Sequence, residues 1–75
     1  MNISDVMIHI KESLDDSARA ELEKEMQKLD GVVSPRFNPG KDHLMVIAYD
    51  TEKASSAALL AKVRSAGYTA QLVGM

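Results

Sequence analysis

Two successive strand–helix–strand patterns of similar length constrain the fold of this chain more than any other feature of its sequence. The segment DVMIHI (5–10) alternates apolar and polar residues, as a half-buried strand does. An apolar residue then recurs every four positions between 14 and 26, which predicts a helix with one buried side. The segment VVSPRF (32–37) predicts a second strand, at a sheet edge because Pro35 has no N–H to donate.

The second half of the chain repeats this order. The segment LMVIAYD (44–50) is apolar nearly throughout, which predicts a central strand. The helix predicted after it has Ala58, Leu59 and Val63 on its buried side. The segment YTAQLVG (68–74) predicts a last, short strand.

The order β-α-β-β-α-β predicts an α+β, ferredoxin-like fold, with a four-stranded antiparallel sheet and two helices on one face. A chain of 75 residues, 45% of them hydrophobic, predicts a single domain spanning 1–75 with one compact core. The other face of the sheet is open to solvent or to a partner. By alternation along the strands, Met7, Leu44 and Val46 belong to that open face.

Composition argues against several classes of partner. The net charge of −2 gives no general attraction to nucleic acid or to an anionic membrane, and the open face offers no aromatic residue on which RNA bases would stack. The longest apolar run, LMVIAY (44–49), is too short to cross a bilayer, and the start MNISD has no signal-peptide pattern. We therefore expect a cytoplasmic protein with no nucleic-acid partner and no membrane insertion.

The sequence also lacks the motifs of the common enzyme classes. Its serines fall mostly in predicted caps and turns, and none lies in a Gly-x-Ser-x-Gly elbow. No glycine precedes the first predicted helix, so a phosphate-binding loop is absent there. We expect no enzymatic activity.

Three ordinary segments occur in a familiar order and spacing. They are LDGV (29–32) at the end of the first helix, MVIAYD (45–50) in the third strand, and AGYTAQLV (66–73) at the end of the second helix and in the fourth strand. In this order the chain resembles the heavy-metal-associated (HMA) domain family of copper chaperones, mercury-binding proteins and amino-terminal modules of metal-pumping ATPases. The resemblance implies the ferredoxin-like fold and docking between like modules.

The chain departs from this family at the metal-binding motif, a methionine followed by Cys-x-x-Cys at the start of the first helix. Counting back from Gly31, which we expect to close that helix, puts the motif positions at Ser13, Asp15 and Ala18. None of the three matches, and the chain contains no cysteine. The family's tyrosine near the metal loop corresponds to Tyr68. The resemblance therefore implies an HMA-like domain without its soft-metal site.

Carboxylates at the same junction are one alternative source of metal ligands. Asp15 and Asp16, with Glu12 close in sequence, suit a hard ion that takes several oxygen ligands. Acidic residues at a helix start also cap free N–H groups and interact with the helix dipole. We favour the cap interpretation.

The two histidines of the chain are the other alternative. His9 and His43 lie near the same end of the predicted sheet, but strand alternation assigns them to opposite faces. A metal site built from His9, His43 and Asp15 is therefore disfavoured. We expect no cofactor, with a weakly bound divalent metal as the alternative.

Two surfaces remain for binding proteins. The open face is apolar for an exposed sheet. The first helix, with Arg19 on its exposed side, has an acidic excess and the second a basic excess, a separation that can steer docking. The candidate interaction residues are Asp15, Asp16, Arg19, Met7, Leu44, Val46 and Tyr68.

The sequence thus predicts a non-enzymatic interaction domain linked to metal handling, which binds a protein partner or self-associates. One alternative is a metal-binding or metal-trafficking domain that uses Asp and His ligands for a divalent ion. The other is a dimeric regulatory domain for a small ligand.

Overall fold

Four strands and two helices occur in the order that the sequence predicts. The structure, a computed structural model, describes residues 2–74, so Met1 and Met75 of the predicted 1–75 domain lie outside the described residues. The elements are β1 (Ile3–Ile10), α1 (Asp16–Gln27), β2 (Val32–Phe37), β3 (Leu44–Asp50), α2 (Ser56–Ser65) and β4 (Ala70–Val73). The ferredoxin-like α+β fold is confirmed.

The four strands form one antiparallel sheet in the order β2-β3-β1-β4. The edge position of β2 confirms the prediction from Pro35, and the central position of β3 confirms the prediction from its apolar sequence. One row across the sheet places Val46 opposite Met7 and Met7 opposite Val73. The next row places His9 between Leu44 and Gln71.

The core lies between the helices and one face of the sheet. Its buried side chains alternate along β1 and β3 and recur every four residues on the helices: Val6, Ile8, Ile10, Met45, Ile47, Tyr49, Leu22, Met26, Leu59 and Val63. Burying a large aliphatic side chain contributes about 1.5–3 kcal/mol, so this one-sided core holds both helices on the same face. The opposite face is left without a covering layer among the described residues.

Helix α1 is shorter than the sequence predicts. Asp15 is its N-cap and Lys28 its C-cap. Leu14, expected as the first apolar residue of the buried side of this helix, precedes the helix but is buried and still packs in the core. Gly31 has the left-handed φ of 92° expected of a helix-closing glycine, yet it lies beyond the helix end in the turn into β2.

Helix α2 starts after its N-cap Ser55. The prediction that Ala58 is buried is wrong, because Leu59 and Val63 define the buried line and Ala58 lies about 100° away from it around the helix. With 12 residues in α1 and 10 in α2, neither helix within residues 2–74 is long enough to span a membrane.

Candidate functional site

The loop between β1 and α1, residues 11–15, contains the positions where the resemblance predicted from the sequence implies a metal site. The Asp15 carboxylate accepts a hydrogen bond of 2.8 Å from the Ala18 backbone N–H, which is the predicted N-cap. Ala18 offers only a methyl group, and the Ser13 side chain lies in an exposed position. This set lacks two thiolates or other soft donors, so the soft metal ion that the resemblance implies does not fit here.

The guanidinium group of Arg19 contacts this loop and two neighbouring carboxylates. Arg19 donates to the Leu14 carbonyl and to the Asp16 carboxylate, and lies 3.6 Å from the Asp42 carboxylate in the β2–β3 connection. The expectation that Arg19 lies on the exposed side of the helix is wrong, since its side chain is only 20% exposed. Helical side chains lean towards the N-terminus, which carries this one back over its own first turn.

Glu12 fastens the other end of the loop. Its carboxylate accepts a hydrogen bond of 2.8 Å from the Thr69 backbone N–H, and the Lys11 N–H donates to the Thr69 carbonyl at 2.9 Å. The bond from Thr69 lowers the pKa of Glu12 below its ordinary value. Tyr68, the next residue back along the chain, is half-buried against the core, so the segment with the predicted tyrosine is tied directly to the loop.

The two histidines meet at the end of β1, contrary to the expectation that they occupy opposite faces. Their ring centroids are 5.9 Å apart, and their planes differ by 22°. Strand alternation does not apply to His43 because β3 begins at Leu44 and His43 belongs to the preceding turn. Nδ1 of His43 lies 2.8 Å from the Ile10 carbonyl oxygen. Asp15 does not join them: in the described part of the chain, no three His, Asp or Glu side chains form a group able to hold a metal ion.

The open face is the side of the sheet turned away from the helices. By the observed register it carries Ile3, Asp5, Met7 and His9 from β1, Leu44, Val46 and Ala48 from β3, Ser34 and Arg36 from β2, and Gln71 and Val73 from β4. Ile3 is 49% exposed and Met7 39% exposed. A shallow groove of about 510 Å³ runs past His9 and His43 along this face, with Gln71 and Val73 on its far side.

The sequence analysis did not predict several residues and contacts of these sites. Gln71 lies opposite His9, and alternation along β4 was a usable signal for it. The pairing of Asp42 with Arg19 and of Glu12 with Thr69 had no sequence signal, because each joins segments far apart in the chain.

Comparison with solved structures identifies proteins with the same fold. Oxidized MerP from Ralstonia metallidurans CH34 aligns with a TM-score of 0.83 at 18% identity, covering 96% of this chain and 99% of that one. The N-terminal domain of a potential copper-translocating P-type ATPase from Bacillus subtilis gives 0.82 at 21% identity, covering 95% and 88%. The CopZ metallochaperone gives 0.77 at 17% identity, covering 93% and 100%.

These structures are heavy-metal-associated domains, so the fold resemblance predicted from the sequence is confirmed. No family model and no curated protein matches the sequence. At identities this low, the likeness concerns the fold alone, and the function of this chain must be argued from its own residues.

Proposed function

We propose that this chain, with its heavy-metal-associated fold, is a non-enzymatic interaction domain that has lost the soft-metal site and self-associates through its open face. A role in metal handling is supported by the neighbours in fold, which include a metallochaperone and a domain of a potential copper-translocating ATPase. The observation that carries the proposal is the apolar row across the open face.

That row consists of Val46, Met7 and Val73 on three adjacent strands, with Ile3 further along β1. Met7 and Ile3 are large apolar side chains exposed by 39% and 49%. Covering such surface is favourable by about 25 cal/mol per Å², and exposed apolar patches commonly mark interfaces.

The charges around the row favour a second copy of this chain as the occupant. Asp5 and Arg36 flank the row on the same face, opposite Ala48 and Val46 in the register. A two-fold interface must be complementary to itself. A two-fold arrangement that sets Met7 against Val46 of the second copy makes Asp5 of each copy a diagonal neighbour of Arg36 of the other.

The size of the face sets the strength of this association. Four strands spaced about 4.8 Å apart, with about five residues of 3.3 Å each, give a footprint of roughly 300 Å². Stable interfaces bury about 800 Å² per partner. The dimer is therefore weak and forms only at high protein concentration.

Sedimentation from micromolar to millimolar protein tests the proposal, with Met7→Glu as the variant and Ala61→Glu as its matched control. Ala61 lies in an exposed position on α2, so the same charge is added away from the sheet. We expect the wild type and Ala61→Glu to dimerise with rising concentration and Met7→Glu to remain monomeric and folded by circular dichroism. A wild type that stays monomeric throughout would overturn self-association.

A charge exchange tests the two-fold arrangement itself. Asp5→Arg and Arg36→Asp should each weaken the dimer, because each sets like charges against each other across the interface. The double variant restores opposite charges and should recover dimerisation. Failure of the double variant to recover would contradict the Asp5–Arg36 pairing.

A further inference from the structure

We infer that His9 and His43 form a two-imidazole site for a borderline divalent metal ion, of the class of Cu(II), Ni(II) and Zn(II), at the end of the open face. The site is separate from the Ser13, Asp15 and Ala18 positions, and it goes beyond the proposed interaction role. It rests on the hydrogen bond of one ring, the separation of the two rings and the access to both.

The hydrogen bond of His43 leaves its other nitrogen ready to bind a metal. The Ile10 carbonyl can only accept, so Nδ1 of His43 carries the hydrogen in the 2.8 Å contact. In the neutral ring, the lone pair is then on Nε2. Histidines that bind metals commonly donate their second nitrogen to a carbonyl in this way, which fixes the ring and raises its basicity.

The separation of the rings suits a shared ion. An imidazole nitrogen binds such an ion at roughly 2.0–2.1 Å, so two rings on one ion hold their centroids roughly 5 Å apart at a tetrahedral angle and roughly 6 Å apart when nearly opposed. The observed 5.9 Å lies in this range without movement of the backbone.

The ring of His9 has to turn before the two nitrogens can share an ion. The two rings are nearly parallel, with 22° between their planes, so the lone pairs do not yet converge. Among residues 2–74 the ring of His9 makes no hydrogen bond that would hold it, and its contact is the stacking on His43. Rotation about its side-chain bonds therefore costs little beyond that stacking.

The surroundings decide the class of ion. The groove of about 510 Å³ gives solvent access to both rings, so water can fill the remaining coordination positions. Imidazole suits Cu(II), Ni(II) and Zn(II), with Cu(II) bound most tightly of the three. Magnesium and calcium need several oxygen ligands and should not compete.

Calorimetric titration of the tag-free full chain with Cu(II) and with Ni(II), at micromolar protein where the proposed dimer is dissociated, tests this site. We expect one ion per chain, with Cu(II) tighter than Ni(II), and nitrogen hyperfine structure from two imidazoles in the electron paramagnetic resonance spectrum of the Cu(II) form.

Substitutions distinguish metal binding by the two histidines from binding by other residues of the chain. His9→Ala and His43→Ala should each weaken binding at least tenfold, and the double variant should abolish it. Gln71→Ala, which changes the same groove without removing an imidazole, is the matched control and should bind as the wild type does. His9→Ala keeps the test valid if His43→Ala unfolds the turn. Absence of binding by the wild type, or binding retained by the double variant, would overturn the inference.

Discussion

The β1–α1 loop and the histidine pair are neighbours at the end of β1, but they differ in how their polar side chains are hydrogen-bonded. In the loop region, Glu12, Asp15 and Arg19 each bind a group of the same chain. On the open face, His9 makes only a ring contact within the described residues. Polar groups that bind each other stabilise the fold, whereas groups left without a hydrogen bond remain available for a ligand.

Arg19 crosslinks the region around this loop. Its guanidinium joins the Leu14 carbonyl to carboxylates on two segments, those of Asp16 and Asp42. A fixed positive group of this kind holds the loop together without cysteines. We therefore expect the loop to contribute to stability and the histidine pair to contribute to binding.

The largest expected effect on stability is that of replacing Leu14, the buried apolar residue of the loop. Leu14→Ala should lower the free energy of unfolding by about 2–4 kcal/mol, because Leu14 is buried and its loss leaves a cavity. Ile3→Ala on the open face should cost under about 1 kcal/mol, since Ile3 is already 49% exposed. Urea unfolding at neutral pH measures both, and equal costs would show that the two regions do not differ in packing.

Arg19→Ala should have the second largest effect and lower the free energy of unfolding by about 1–2 kcal/mol. It leaves the Leu14 carbonyl without its donor and removes the ion pairs with Asp16 and Asp42. Arg19→Lys should recover part of this loss, since one ammonium cannot reach all the groups that a guanidinium fork does.

Lys24→Ala is the control for Arg19 because Lys24 is an exposed cation on the same helix, and it should change stability by under about 0.5 kcal/mol. Equal effects of Arg19→Ala and Lys24→Ala in urea unfolding would contradict the role of the guanidinium.

The sequence predicted the order of elements and the edge position of β2 because both follow from local signals, namely periodicity and the missing N–H of Pro35. It missed the burial of Arg19 and the hydrogen bond between Glu12 and Thr69, which lie 57 positions apart. Such contacts depend on how the helices pack on the sheet, and periodicity carries no information about them.

The histidine pair shows a second limit of sequence prediction. Alternation assigns faces only within a strand, and His43 lies one residue before β3 begins. The assignment of Ala58 was wrong for a different reason, because adjacent helical residues point about 100° apart and only Leu59 and Val63 face the core.

Asp15→Ala should lower the free energy of unfolding by about 1 kcal/mol, because it removes the N-cap of α1. Asp15→Asn should lower it much less, because an amide oxygen also accepts from the Ala18 N–H. Ser55→Ala, which removes the N-cap of α2, is the matched change on the other helix and should have a similar cost. Thermal unfolding with and without added Mg(II) measures these effects. A loss for Asp15→Asn as large as for Asp15→Ala, or stabilisation of the wild type alone by Mg(II), would point to a charge-dependent role beyond the cap.

The smallest expected effect is the pH dependence that Glu12 contributes. The bond from the Thr69 N–H lowers the pKa of Glu12 in the folded state, so the ionised carboxylate favours folding. This contribution is present above the ordinary glutamate pKa of about 4.3 and is lost as pH falls through the lowered folded pKa. The stability difference between the wild type and Glu12→Gln should therefore be largest near neutral pH and vanish in acid, as urea unfolding across this range would reveal. Glu21→Gln, on the exposed surface of α1, should show no such change with pH. A difference for Glu12→Gln that persists unchanged into acid would show that its carboxylate charge does not hold the loop to Thr69.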